Sequence, residues 1–258
     1  MTSYDASDYG ERFADVYDRW YRSCDPYLIN TLEELSYGGP VLELGIGTGR
    51  IALPLVNRGV EVHGIDASPS MVAQLRNKPG GDEIPVNIGN FADVDIEGRF
   101  SLIFIVFNTF FGLLSQNEQI RCFRNVAKHL SEDGIFLIET FVPDIKRFDA
   151  GEFVKASKIK DDEISLNVPV HDLVNQRLNI QHVVINEKGI RFFPVKFRYA
   201  WHSELDLMAR LAGLNLRYRW GKWNRAPFTS ASEKHISVYE RMRDEWNDDQ
   251  PPVSNPSE

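Results

Sequence analysis

The sequence predicts an α/β protein built on a mostly parallel sheet, with an antiparallel segment inserted toward its end. Three observations lead there. Between residues 41 and 139, short and continuously apolar runs alternate with helical patterns, the way strands buried on both faces read. A glycine-rich turn, Glu43-Leu-Gly-Ile-Gly-Thr-Gly49, joins the first such run to a helix. Beyond Pro143 the pattern shifts to two-residue alternation, typical of strands with one buried face. The 258 residues carry 29 basic and 37 acidic side chains, a formal charge of −8. That length suits one large core with an appended piece. The acidity argues against a nucleic-acid groove, and no run of roughly 18 apolar residues could span a membrane. Residues 1–20 are acidic and polar, unlike a secretory signal. Cys24 and Cys122 stand far apart, which fits a reduced, cytoplasmic protein.

Each element has its own reason. Phe13, Val16, Tyr17, Trp20 and Tyr21 recur at three- and four-residue steps and put aromatics on one helical face. Tyr27, Leu28, Leu32 and Leu35 do the same in a second helix, which Gly38-Gly39-Pro40 stops. Residues 41–44 read as a buried strand, 50–57 as a helix and 60–65 as the second strand. Residues 70–76 are helical, 86–88 a short strand and 102–107 a strongly apolar one. Ile120, Phe123, Val126, Ala127 and Leu130 form one stripe, hence a helix over 118–130, followed by a strand at 134–139. Residues 164–168, 178–185 and 192–199 alternate, with a hairpin turn at Asn186-Glu-Lys-Gly189. A helix at 204–212 and strands at 214–220 and 236–239 close the fold. From Asp244 the chain is polar and proline-rich and reads as a disordered tail. The expected divisions are 1–38, 39–152 joined with 201–243, the insertion 153–200, and the tail 244–258.

The glycine turn carries the chemistry. Glycines permit a tight turn and close backbone approach, and the helix behind them offers free N–H groups. The second strand ends at Asp66, which can accept both hydroxyls of a ribose. A dinucleotide site wants G-x-G-x-x-G facing a pyrophosphate, a group that Glu43 would repel. An acid there suits a cofactor with cationic groups. Val41-Leu-Glu-Leu-Gly-Ile-Gly-Thr-Gly-Arg50 resembles motif I of the class I S-adenosylmethionine (SAM)-dependent methyltransferases. The likeness extends over most of residues 9–241. It implies a Rossmann-like sheet of seven mostly parallel strands with helices on both faces, and SAM as cofactor.

On that resemblance Glu43, Gly45, Gly47 and Gly49 form the cofactor loop, Asp66 holds the ribose, and Ala67 and Met71 flank the adenine. Met71 reads equally well as core packing. Gly89-Asn-Phe-Ala-Asp93 is similar to a segment that usually reads G-D-x-x-D. Asn90 replaces the acid and would accept the adenine amino group through its carbonyl, with Phe91 offering its backbone N–H. Phe107 and Asn108 stand at the carboxyl end of the fourth strand, the ligand edge of open α/β sheets. Asn108 is either a contact near the transferred methyl or a cap for the helical turn after it.

Methyl transfer needs alignment, exclusion of water and the removal of a proton when the nucleophile carries one. Aromatic faces favour a sulfonium. The N-terminal aromatics resemble the Y-D-x-x-Y helix that closes over SAM in small-molecule methyltransferases. That implies a lid over residues 1–38, with Tyr17 as cofactor and catalytic contact and Tyr9 and Tyr21 toward the acceptor. The other reading is an amphipathic helix docked by its aromatics. His202 ranks first of six histidines as a proton acceptor, and no spacing suggests a metal. Residues 204–214, Arg225-Ala-Pro-Phe and the strand His235-Ile-Ser-Val-Tyr resemble the natural-product N-methyltransferase branch, including amino-sugar N,N-dimethyltransferases and the cypemycin α-amine methyltransferase. The branch implies a small-molecule or peptide acceptor methylated at nitrogen. It also implies an insertion used as an acceptor roof or a homodimer element. Phe111, Trp201, Trp223 and Arg225 are further acceptor candidates. Lys196, Arg198, Arg217, Arg219, Lys222 and Arg225 are either solvated strand edges or an anion site. O-methylation, SAM binding without turnover and, more remotely, a dinucleotide oxidoreductase are the competing functions.

Overall fold

Burial of the apolar runs sets the architecture. The computed structural model describes residues 4–22, 24–93, 96–144 and 154–242. The chain opens with α1 (Asp8–Phe13), α2 (Tyr17–Trp20) and α3 (Pro26–Leu35). Then β1 (Val41–Leu44), α4 (Ala52–Val56), β2 (Val62–Asp66), α5 (Pro69–Arg76) and β3 (Val86–Ile88) alternate. They are followed by β4 (Phe100–Ile105), α6 (Gln116–His129) and β5 (Leu130–Phe141). Four strands come next, β6 (Lys155–Ile159), β7 (Glu163–Asp172), β8 (Arg177–Asn186) and β9 (Gly189–Arg198). The chain then returns through α7 (His202–Leu211), β10 (Leu214–Trp220) and β11 (Lys234–Arg241).

Seven strands form one sheet in the order β10-β11-β5-β4-β1-β2-β3, and β6-β7-β8-β9 form a second. In the first sheet β1 pairs in parallel with β2 and β4, β2 with β3 and β4 with β5, while β11 runs antiparallel to both its neighbours. The second sheet is antiparallel throughout. This is the seven-stranded, mostly parallel α/β sheet with an antiparallel insertion that the sequence predicts. Both faces of the large sheet are covered. Leu42, Ile103, Phe136 and Ile138 pack with Phe123 of α6 and Leu205 of α7, while Val41, Phe104 and Leu137 pack with Leu28 and Leu32 of α3. Each such side chain contributes about 1.5–3 kcal/mol by leaving water.

The N-terminal aromatics behave differently from expectation. The pattern suggests one helix through residues 13–21, whereas the chain breaks between α1 and α2, and α3 joins the layer on the sheet. Phe13 and Val16 are buried against Met71 of α5 and Val184, Phe193 and Val195 of the small sheet. So α1 and α2 lie between α5 and the small sheet. Strand β6 was not legible because each of its residues is exposed, which leaves no alternation of burial in the sequence. The tail read from Asp244 lies outside the described residues, as do residues 145–153. No helix among the described residues is long and apolar enough to cross a membrane.

Candidate functional site

The first sheet's carboxyl edge gathers the charged groups of the glycine turn. The amides of Gly45 and Ile46 both donate to the Ile65 carbonyl, at 2.7 and 3.0 Å, and tie the turn to β2. Gly45 has φ +77° and a side chain there would strike Thr109 Cγ2 at 2.6 Å, so the position demands glycine. The Gly47 N–H donates to Asp66 Oδ2 at 2.7 Å, and the Ser68 N–H to Asp66 Oδ1 at 2.8 Å. Asp66 therefore bridges the turn and the start of α5. Burial pushes its carboxyl above the usual range, while these two amides oppose the shift. Glu43, at the end of β1, is 3 % exposed, and its Oε2 has no hydrogen-bond partner among the described residues. Burial holds this carboxyl well above its ordinary value, against the pull of Arg50.

An aromatic enclosure stands beside Glu43. The Arg50 guanidinium lies 3.5 Å from the centroid of the Phe107 ring, 5.7 Å from Tyr17 and 5.9 Å from Tyr21. One Nη donates to the Tyr17 hydroxyl at 3.4 Å, and Nε is buried without a partner among the described residues. Tyr9 stacks on Phe13 at 4.2 Å and shares a hydrogen bond with Tyr21. Burial raises all three phenols, Tyr9, Tyr17 and Tyr21, so they stay protonated near neutral pH. Two buried, unsatisfied polar atoms of opposite sign thus share one neighbourhood, the complement of an ammonium and a carboxylate on one ligand.

Helices α1 and α2 are latched over this edge by acids whose partners are far away in sequence. Glu11 accepts from Ser68 Oγ (2.7 Å), the Ser70 amide (3.1 Å) and Ser70 Oγ (2.5 Å), capping the start of α5 from outside. Asp18 accepts from Thr48 Oγ1 of the glycine turn at 2.6 Å and pairs with Lys78 at 2.6 Å. A Cβ on Gly10 would lie 2.2 Å from Ser68 Cβ, so α1 approaches this loop as closely as glycine allows.

The turn after β4 is strained. Phe107 and Asn108 have φ of +59° and +64°, which costs on the order of 1–3 kcal/mol for each non-glycine residue. Asn108 does not cap the helical turn after it; its Oδ1 instead accepts from the Phe141 amide at 2.6 Å. Asn90 Oδ1 similarly accepts from the Ala92 amide at 2.9 Å, and Phe91 is buried beside Gly45. Met71 is buried under α1, and Ala67 adjoins Asp66.

Several expected site residues are placed elsewhere. Phe111 is fully buried in the core against Phe141 and offers no acceptor surface. Trp223 is 1 % exposed and donates its indole N–H to Glu139. Arg225 pairs with Glu34 of α3 and stacks on Trp220. His202 packs against Phe228 and His235, and burial lowers its pKa, so it is neutral near pH 7. Trp201 precedes α7 beside Tyr199. Four of the six basic residues are engaged in ion pairs, Arg198 with Glu204, Arg217 with Glu240, Arg219 with Asp206 and Arg225 with Glu34. A register shift between Leu216 and Tyr218 breaks the alternation that would put Arg217 and Arg219 on one face. Sequence reasoning missed Arg50, Glu11, Asp18 and Glu139. Only Arg50 left a signal, as the residue directly after the glycine turn.

Beyond this geometry, the chain resembles known proteins over nearly its whole length. A family model described as a methyltransferase domain matches residues 41–134. The structure of the CcbJ methyltransferase from Streptomyces caelestis superposes with a TM-score of 0.86, covering 93 % of this chain and 100 % of that one at 40 % identity. The cypemycin N-terminal methyltransferase of a Streptomyces species is 27 % identical over 80 % of this chain and 84 % of its own. The dTDP-4-amino-2,3,4,6-tetradeoxy-D-glucose N,N-dimethyltransferase of Saccharopolyspora spinosa is 25 % identical over 85 % and 92 %.

Proposed function

The chain belongs to the SAM-dependent methyltransferases, and on that premise we propose that it methylates an amine nitrogen of a small molecule or peptide. The observation that carries the nitrogen is the set of aromatic faces of Tyr17, Tyr21 and Phe107 around the Arg50 guanidinium, a surface that favours cations, while the ring contacts of His202 are with Phe228 and His235. Aromatic faces stabilise cations, and transfer to an amine passes from a sulfonium to an ammonium. A neutral amine needs no general base, whereas a hydroxyl does. The names of the relatives, an N-terminal amine and an amino sugar among them, support the same reading.

The residues present suit SAM. The unsatisfied Glu43 Oε2 would receive the α-ammonium and the Arg50 guanidinium the α-carboxylate, which satisfies both orphaned groups. Asp66 would hold the ribose hydroxyls beside the Gly47 amide, with Gly45 and Gly49 shaping the turn. Ala67, Met71, Asn90 and Phe91 would border the adenine. When bound, SAM supplies a methyl on a sulfonium, already activated for in-line displacement by a nitrogen lone pair. What this chain adds is alignment and dryness. Helices α1 and α2 close the edge through Glu11 and Asp18, and Tyr9, Tyr17 and Tyr21 line the approach. The acceptor's proton leaves to solvent as the lid opens. Tritiated SAM with a panel of primary and secondary amines and matched alcohols tests the reading. Label in amines alone is the expected result. Label in alcohols alone would overturn nitrogen, and binding without any transfer would overturn turnover.

The small sheet suits a second copy of this chain. Ile159, Ile164, Ile185 and Ile190 stand in register, one per strand, on the face turned away from α1, with Val170 and Phe192 beside them. These six are 37 to 75 % exposed, on the order of 600 Å² of apolar surface against about 800 Å² per partner in a stable dimer. The β6 edge carries Lys155, Lys158 and Lys160, which oppose strand-to-strand addition and leave face-to-face packing. Sedimentation should show a dimer that the Ile164→Asp, Ile190→Asp pair converts to monomer. A monomeric parent at micromolar concentration would exclude it.

A further inference from the structure

We propose that Glu139 is a positioning residue for methyl transfer, one that sets the Phe107 ring against the cation the site binds. This rests on the proposed SAM site and reads Phe107, whose ring lies over the Arg50 guanidinium beside Glu43, as bordering the cofactor's sulfonium as well. Glu139 lies at the end of β5, 5 % exposed, and reaches the site through the turn after β4. Its side chain and its own carbonyl catch the two strained amides in succession. Glu139 Oε2 accepts from the Phe107 N–H at 3.1 Å, and the Glu139 carbonyl accepts from the Asn108 N–H at 3.2 Å. Left-handed backbone at a bulky residue persists only where its surroundings over-determine it. Here the Phe141 amide on Asn108 Oδ1 completes the hold.

The carboxylate is fixed in turn. Its Oε1 accepts from Trp223 Nε1 at 3.0 Å and from Lys234 Nζ at 2.7 Å. Three donors converge on one group, which only a carboxylate can satisfy, because an amide must turn its NH2 toward at least one of them. Trp223, read from sequence as an acceptor contact, therefore acts from behind the site. The ring that this assembly aims is 37 % exposed and lies face-on to the Arg50 guanidinium at 3.5 Å.

The test compares two probes that differ by one charge, SAM with its sulfonium and S-adenosylhomocysteine with a neutral thioether. Calorimetry gives the ratio of their dissociation constants for the parent, Phe107→Leu, Glu139→Gln and the double variant. Phe107→Leu should reduce the preference for the charged probe by on the order of tenfold. Glu139→Gln should reduce it by a similar factor while the neutral probe's affinity stays within about threefold. The double variant should add nothing further, because both changes remove one interaction. A Glu139→Gln protein that weakens both probes alike, or neither, overturns the positioning role. An unchanged ratio in Phe107→Leu instead removes the underlying reading of Phe107. Should Glu139→Gln fail to fold, Lys234→Met and Trp223→Phe each delete one donor and should lower the ratio part of the way. No movement in either refutes the proposal.

Discussion

Asp66→Ala should raise the dissociation constant for SAM on the order of 100-fold, read by calorimetry on folded protein. The size comes from the work of the carboxylate. Hydrogen bonds to a charged group contribute about 1.5–3 kcal/mol each, and two ribose hydroxyls would lose their acceptor together. Two amides lose theirs as well, since Gly47 and Ser68 both donate to Asp66. That second loss falls on the protein without cofactor and should appear as a melting temperature lower by a few degrees. The two effects separate in Asp66→Asn. One amide oxygen can still accept from a backbone N–H, so the melting temperature recovers most of its value. The NH2 meets hydroxyls and amides that also donate, so SAM affinity stays low. A dissociation constant within threefold of the parent in Asp66→Ala would remove Asp66 from the ribose site.

The parts of this site that were legible in sequence are those whose geometry is local. Glu43 and the three glycines sit within seven residues, and the next strand ends at Asp66, so spacing alone brings them together. The parts that were not legible depend on tertiary contact. Glu11 meets Ser70 across 59 positions and Asp18 meets Thr48 across 30, and in sequence both are ordinary surface acids. Glu139 reads as the polar end of a buried strand until the fold sets it under Phe107. Conversely, Trp223 and Arg225 look like ligand contacts because aromatic and basic residues in loops often are. Burial of one and an ion pair to Glu34 for the other depend on α3, which local pattern placed in the lid and packing placed on the sheet. The antiparallel insertion was legible as alternation over β7 to β9 because the small sheet does have two unlike faces. Only register showed that the outer one carries a row of isoleucines.

Glu43→Gln should do two opposite things, weaken SAM and stabilise the protein without it. In the folded chain the Glu43 carboxyl is held well above its ordinary value of 4.5, chiefly by burial. A group of this kind binds more protons folded than unfolded. Its contribution to stability is complete below pH 4.5 and is lost as pH rises through the folded value. Above that, an ionised carboxylate with an unsatisfied Oε2 is carried at a cost that glutamine does not bear. The variant should therefore melt a few degrees higher than the parent at pH 8, with the difference vanishing toward pH 4. SAM reverses the sign. An ammonium beside Glu43 favours the carboxylate, so at pH below its folded value binding releases a proton from the parent, and affinity should rise with pH up to that value. Calorimetry in two buffers of unlike ionisation enthalpy reads that release directly. In Glu43→Gln the release should fall to whatever Asp66 contributes. Affinity at pH 8 should drop about tenfold, the loss of one charge-assisted contact. Equal proton release in parent and variant would show that Glu43 is not the ammonium's partner, whatever the affinities. A buried acid that lowers stability until its ligand arrives is a group retained for binding, and the pH profile is where that trade becomes visible.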